Sequence, residues 1–128
     1  MVRKNMSNNE IYLIATQLVE NISNANLHLP VKVNFYLQKN ITAIIALAEE
    51  LEKSRNEILA KYGTQDEEGN YSFNEDTIKV ANEELANLFD LEQEVPIYEI
   101  SLDSFGDLEL DANQVKAISY MIKDDEEE

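Results

Sequence analysis

From Leu37 to Tyr62 seam residues return at alternating intervals of four and three: Leu37, Ile41, Ile44, Ala48, Leu51, Arg55, Ile58 and Tyr62. That spacing keeps one helical face apolar and predicts a single long helix packed lengthwise on another. Pro30, with its fixed φ, suits the first turn. Gly63 suits a left-handed cap behind Tyr62. Some 33 residues make a rod of roughly 50 Å, longer than so small a domain covers. The pattern therefore predicts either a kink around Asn40 or a stretch of seam left for a partner. Val33, Phe35 and Leu37 alternate, so a short extended opening is the other reading of the first turn.

Around this rod the chain alternates between helical and extended signals. Residues 1–8 carry no clear pattern and read as frayed. Ser7 or Asn8 can cap a first helix with the stripe Ile11, Ile14, Ala15, Leu18, Val19 and Ile22, which Ser23-Asn24-Ala25-Asn26 ends. Thr64 to Asn70 is a polar loop that turns at Glu68-Gly69 into a brief strand at Tyr71-Ser72-Phe73. Asn74 or Asp76 caps a third helix whose inward face is Ile78, Ala81, Leu85, Leu88 and Phe89. Glu94 to Leu102 alternates and is the strongest strand signal, with Pro96 marking an edge or an opening. Its expected antiparallel partner is Tyr71–Phe73. Asp111 caps a last helix, Ala112 to Ile122, with Val115, Ile118 and Met121 inward.

The predicted fold is α+β and predominantly helical. A long helix forms an antiparallel hairpin, with additional helices and a small two-stranded antiparallel ribbon. Residues 1–123 form one domain, and 124–128 form an acidic disordered tail.

Composition narrows the classes of function. At 128 residues and 44% hydrophobic the chain can bury one modest core. It has no cysteine, so neither a disulfide framework nor a thiolate metal site can form. The apolar run Ile41–Ala48 is far short of the roughly 20 residues that cross a bilayer. No signal-peptide segment follows Arg3 and Lys4, and the expectation is a soluble intracellular protein. Net charge is −16, unevenly spread. Residues 1–40 hold four cations against two acids, and residues 41–128 hold six against 24. Such acidity argues against direct nucleic-acid binding and suits a partner with a basic surface.

Catalytic patterns do not emerge. The single histidine, His28, lies in a linker between Leu27 and Leu29. Neither a Ser-His-acid nor a Cys-His arrangement follows from the spacing, and the three glycines are isolated in turns. The expectation is a protein that is not an enzyme and uses no cofactor and no metal. Aligning Gly69 with the glycine of a calcium-binding helix–loop–helix puts Asp66, Glu68, Ser72 and Glu75 at ligand positions. Thr64 then occupies the first, where a carboxylate belongs, so an ordinary acidic turn is the better reading.

Five residues stand out as candidates for partner binding. Arg55 occupies a seam position where an apolar side chain is expected. A cation there either pairs with a carboxylate at the edge of the core or meets a partner's acid. Tyr36, Lys39 and Asn40 lie on the opening turns of the long helix, in the part of the chain with excess positive charge. Tyr62 closes the seam.

The succession Leu29-Pro30-Val31-Lys32, Gln38-Lys39-Asn40-Ile41, Glu52-Lys53-Ser54-Arg55 and Leu59-Ala60-Lys61-Tyr62-Gly63 leads into Asp66-Glu67-Glu68-Gly69-Asn70-Tyr71. Glu83-Glu84-Leu85 and the strand Val95 to Ser101 follow. Over residues 27–122 this order resembles small acidic proteins of unknown function from tailed phages and prophages of Gram-positive hosts. The resemblance implies a phage accessory role in the infected host's cytoplasm or on the virion, and it supplies no active-site residues. The expected function is binding to another protein, either a host defence or regulatory factor or a virion-assembly component. Two alternatives are an acidic nucleic-acid mimic that blocks a DNA-binding protein, and a structural virion subunit. The helical seam also offers a route to homo-oligomers.

Overall fold

A computed structural model of the chain describes residues 1–25 and 27–123. The element order is β1 (Val2–Ser7), α1 (Asn8–Leu18), α2 (Val31–Tyr62), β2 (Thr64–Gln65), β3 (Tyr71–Ser72), α3 (Glu75–Asp90), β4 (Glu92–Ile97), β5 (Ile100–Ser101), α4 (Ala112–Ile118) and β6 (Ile122–Lys123). A π-helical turn, Val19–Ser23, prolongs α1. Single 3-10 turns sit at Leu102–Phe105 and Ser119–Met121. The predicted α+β, mainly helical architecture is what the chain adopts.

The long helix runs from Val31 to Tyr62 behind Pro30, as its seam predicts. Its first half is the floor of the core. Val33, Leu37, Ile41 and Ile44 pack with Ile11, Ala15 and Leu18 of α1, with Ile22 of the π-helical turn and with Val95 and Ile97 of β4. Its second half is covered much less. Between Glu52 and Val80 no residue is fully buried, and this stretch with α3 makes an arm. The helix α3 turns back along α2, because the short antiparallel ribbon β2–β3 joins them. At the arm's far end Tyr62 Oη donates to Glu84 Oε1 at 2.8 Å. At its root Asn8 locks α3 and β4 onto α1. Its Nδ2 donates to the Leu88 carbonyl at 2.7 Å, and its Oδ1 accepts from Gln93 Nε2 at 2.7 Å.

Capping follows the sequence signals closely. Ser7 Oγ accepts from the Glu10 amide at the start of α1. Asn74 with Thr77, and Asp111 with Gln114, form reciprocal capping boxes on α3 and α4. Gly63 differs from expectation. Its φ is −106°, in the extended region, so it is not a left-handed cap. Glycine is required there for room, since a Cβ would lie 2.9 Å from the Leu59 carbonyl oxygen and from the Phe73 ring.

The strands are where the prediction needs correcting. Residues 2–7 are not frayed. They pair antiparallel with β4, from Val2 opposite Ile97 to Ser7 opposite Glu92. Tyr71–Ser72 pairs with Thr64–Gln65, not with the 94–102 region. That region breaks into β4 and β5 around Tyr98-Glu99, and β5 pairs in parallel with β6, Ile100 opposite Ile122. The last helix stops at Ile118. Ile78 and Val115, expected to point inward, are exposed. The acidic tail predicted for 124–128 lies outside the described residues.

Tyr120 carries a hydroxyl that is buried without a hydrogen-bond partner among the described residues. Burial pushes its phenol well above the usual tyrosine range. An acid whose pKa rises on folding stabilises the fold below its unfolded pKa of about 10 and loses that contribution as pH climbs above it. Tyr120→Phe is therefore expected to unfold no more easily than the parent at pH 7. It should also lack that part of the parent's loss of melting temperature above about pH 10 that belongs to this phenol. Thermal melts from pH 7 to 11 check both outcomes.

Candidate binding surface

The first turns of α2 lie beside the loop that joins β4 to β5, and the two together carry a cluster of aromatic rings around a lysine. Tyr36 stacks on Tyr98, with centroids 6.0 Å apart and planes inclined by 16°. Phe35 meets Tyr36 edge-on at 5.8 Å. The Lys39 ammonium sits 5.1 Å from both the Phe35 and the Tyr98 ring centres. Such placement over two π-faces holds a long, otherwise mobile side chain in one orientation. Phe35 remains 58% exposed and Val31 87%, so the cluster is largely unburied.

Asn40 explains why Tyr98 stands where it does. It is 1% exposed. Its Oδ1 accepts from the Tyr98 amide at 2.7 Å, and its Nδ2 donates to the Tyr98 carbonyl at 2.8 Å. Tyr98 lies between two strands, where no ladder satisfies its backbone, and one side-chain amide supplies both bonds. Asn40 thus lies beneath the surface and positions Tyr98 from below.

The other two sequence candidates lie elsewhere. Tyr62 is about 39 Å along α2 from Tyr36. Lys61 Nζ is 5.0 Å from the Tyr62 ring and 3.7 Å from Glu84 Oε1. Arg55 is half-buried in the arm. The ion pairs among the described residues, Arg3–Glu94 and Lys61–Glu84, do not include it. Of the five candidates, Tyr36 and Lys39 come together, Asn40 supports them from below, and Arg55 and Tyr62 belong to the arm.

Two grooves flank the Tyr36–Tyr98 stack. One, of about 720 Å³, runs between Val31, Phe35, Lys39 and Thr42 on α2 and Arg3 of β1, Pro96 of β4 and Tyr98 on the other side. Among the described residues its lining contains no aspartate or glutamate. The other, of about 470 Å³, has Lys32, Tyr36, Tyr98 and Lys123 on its walls and, among the described residues, Glu99 as its one acid. In a chain with 26 acids this sparing is visible in the sequence: from Asn21 to Ala48 there is no Asp or Glu. Phe35, Tyr98 and Arg3 escape sequence reasoning because only the fold joins them. Phe35 looks like a strand residue by alternation, Tyr98 like an interior strand position, and Arg3 like part of a frayed end.

Elsewhere the chemistry-bearing residues are dispersed or tied up. His28 is exposed in the linker before α2. Asp66 Oδ1 accepts from the Glu68 and Asn70 amides, both at 2.9 Å, closing the turn between β2 and β3. Glu49, Glu52 and Glu57 share the solvent-facing side of the arm with Lys53. Among the described residues, no helix is long and apolar enough to cross a membrane. No protein-family model matches the chain, and no curated protein or solved structure matches it either.

Proposed function

We propose that this chain is a non-enzymatic binding protein that acts by occupying another protein's surface, and that the Phe35–Lys39–Tyr98 cluster is its docking face. The observation that supports this most is an exposed, preorganised aromatic–cation cluster beside an acid-free groove, on a molecule of net charge −16. Aromatic residues fixed by their neighbours are the usual anchors of protein interfaces, because they bury much area and lose little freedom on binding. The acidic remainder of the chain gives long-range steering towards a partner with a basic face. A phage accessory role in the infected cytoplasm or on the virion rests on the resemblance of residues 27–122.

The arm favours a second reading. Its charges are mainly acidic, and its helices are covered on one side more than the other. That surface suits a nucleic-acid mimic or a site of self-association, and it lies at the other end of α2 from the cluster. The two readings separate experimentally. The double variant Phe35→Ala/Lys39→Glu is expected to weaken binding to the protein partner at least 30-fold, roughly the effect of losing one interface anchor. Its melting temperature should stay near the parent's, because Phe35 and Lys39 are exposed. Unchanged affinity in that variant, together with loss of affinity in an arm variant such as Ile78→Glu, transfers the function to the arm.

A further inference from the structure

The groove between α2 and the β1–β4 pair has a definite chemistry, and we infer that it takes a short acidic–aromatic segment of a partner protein: a bulky apolar side chain with a carboxylate beside it. This rests on the cluster being the docking face, and it names what docks there. The apolar half of the recognition comes from Phe35, Pro96 and Tyr98, whose ring faces and edges offer a slot for one large side chain. The charged half comes from Lys39. Its ammonium is held over two rings, so it is presented to the groove without the usual loss of side-chain freedom on pairing.

Arg3 stands on the opposite wall. It is paired with Glu94 at 3.6 Å, but both side chains are 63% exposed. A pair that open contributes little, so Arg3 can turn to an incoming carboxylate at small cost. Asn34 and Gln38 line the same groove, Gln38 Nε2 donating to Asn34 Oδ1 at 3.4 Å, and their remaining amide groups face a peptide backbone as neutral donors and acceptors.

The chain's own charge is the obvious objection, since a molecule at −16 repels acids. Distance removes it. The first acid of α2, Glu49, is ten residues beyond Lys39, about 15 Å along the helix axis. The Debye length at physiological ionic strength is about 8 Å. At that salt the arm's acids are largely screened, so an incoming carboxylate meets chiefly Lys39, with Arg3 available to it only in exchange for Glu94. A basic segment meets the reverse: the Lys39 ammonium held over two rings, and Arg3 already engaging the nearby Glu94.

The test uses the full chain, labelled for amide NMR, in 150 mM salt. Three capped pentapeptides are titrated, identical except that the residues flanking a central phenylalanine are glutamate, glutamine or lysine. The inference expects the glutamate peptide to shift the amides of Val31, Phe35, Lys39 and Tyr98. It should bind about fivefold or more tighter than the glutamine peptide, the scale of two partly exposed ion pairs, and the lysine peptide should bind weakest. Lys39→Glu, an exposed substitution that spares the core, is expected to invert that order.

Equal affinity for all three peptides overturns the acidic partner but leaves the docking face standing. Tighter binding of the lysine peptide overturns it as well. If no peptide moves those amides, the inference fails. Whether the docking face fails too is then read from the Phe35→Ala/Lys39→Glu variant against the partner. A concentration dependence of the same amides without peptide would put a second copy of the chain in the groove, and would also overturn the inference.

Discussion

Asn40→Ala is expected to cost about 3 kcal/mol of stability, more than its one lost side chain suggests. The substitution removes two hydrogen bonds at 2.7 and 2.8 Å and a weaker one from Nδ2 to Met121 Sδ at 3.3 Å, and it leaves the Tyr98 amide and carbonyl without their side-chain partner. A buried polar group left unpaired costs about 1–3 kcal/mol, and two such groups share this site with the void that the amide leaves. In a domain of this size that loss lowers the melting temperature by about 10 °C. The stability loss comes with a second signature. Tyr98 is half of the stack with Tyr36 and one of the two rings under Lys39, so partner binding should weaken as well, although Asn40 itself is buried. Asn40→Asp is the control for polarity. It keeps an acceptor for the Tyr98 amide but sets a buried carboxylate oxygen against the Tyr98 carbonyl, so at pH 7 it should melt no higher than the alanine variant. Thermal melts and binding isotherms on the three proteins check this. A melting temperature within 2–3 °C of the parent would remove Asn40 from its proposed role.

Ile44→Ala and Ile58→Ala should differ sharply, although both are seam positions on one helix. Ile44 is 0% exposed at the centre of the core, where truncation to alanine costs about 2–5 kcal/mol through lost burial and the cavity left behind. Ile58 lies in the arm and is half-exposed. Its truncation removes less buried area, and its surroundings can collapse or admit solvent, so about 1 kcal/mol is expected. Chemical denaturation measures both. Nearly equal losses would mean that the arm is as well packed as the base, contrary to the absence of any fully buried residue between 52 and 80.

The same contrast explains what the sequence could reveal. The 4-3-4-3 spacing announces α2 and its limits, because a helix writes its buried face into every third or fourth residue. The capping signals at Ser7, Asn74 and Asp111 are local, and each forms as expected. The strand pairings are not local. The partner of β4 is a six-residue segment, VRKNMS, that begins the chain, and of its residues only Met6 is fully buried. A strand lying mostly on the surface leaves no apolar alternation to read. Its pairing with β4 joins segments some 90 positions apart.

The part Asn40 plays is hidden from the sequence for a related reason. Leu37, Asn40, Ile41 and Ile44 share one helical face, so the spacing does put Asn40 on the buried side. Its polarity argued for the surface, and the need it serves, the unpaired backbone at Tyr98, exists only once β4 has folded against α2. The candidate site was half legible in the same sense. Tyr36 and Lys39 could be picked from the acid-poor start of α2, whereas Phe35, Tyr98 and Arg3 join them only through the fold.

The central claim, that the protein docks through the Phe35–Lys39–Tyr98 cluster and not through its arm, is tested most directly by site-specific photo-crosslinking. A photoreactive phenylalanine analogue is placed at Phe35 in one protein and at Ile78 in another, both exposed positions, and each is irradiated with the partner present. The account predicts an adduct between chain and partner from position 35, suppressed by excess acidic–aromatic peptide, and none from position 78. An adduct from position 78 with none from position 35 would contradict it and place the interface on the arm.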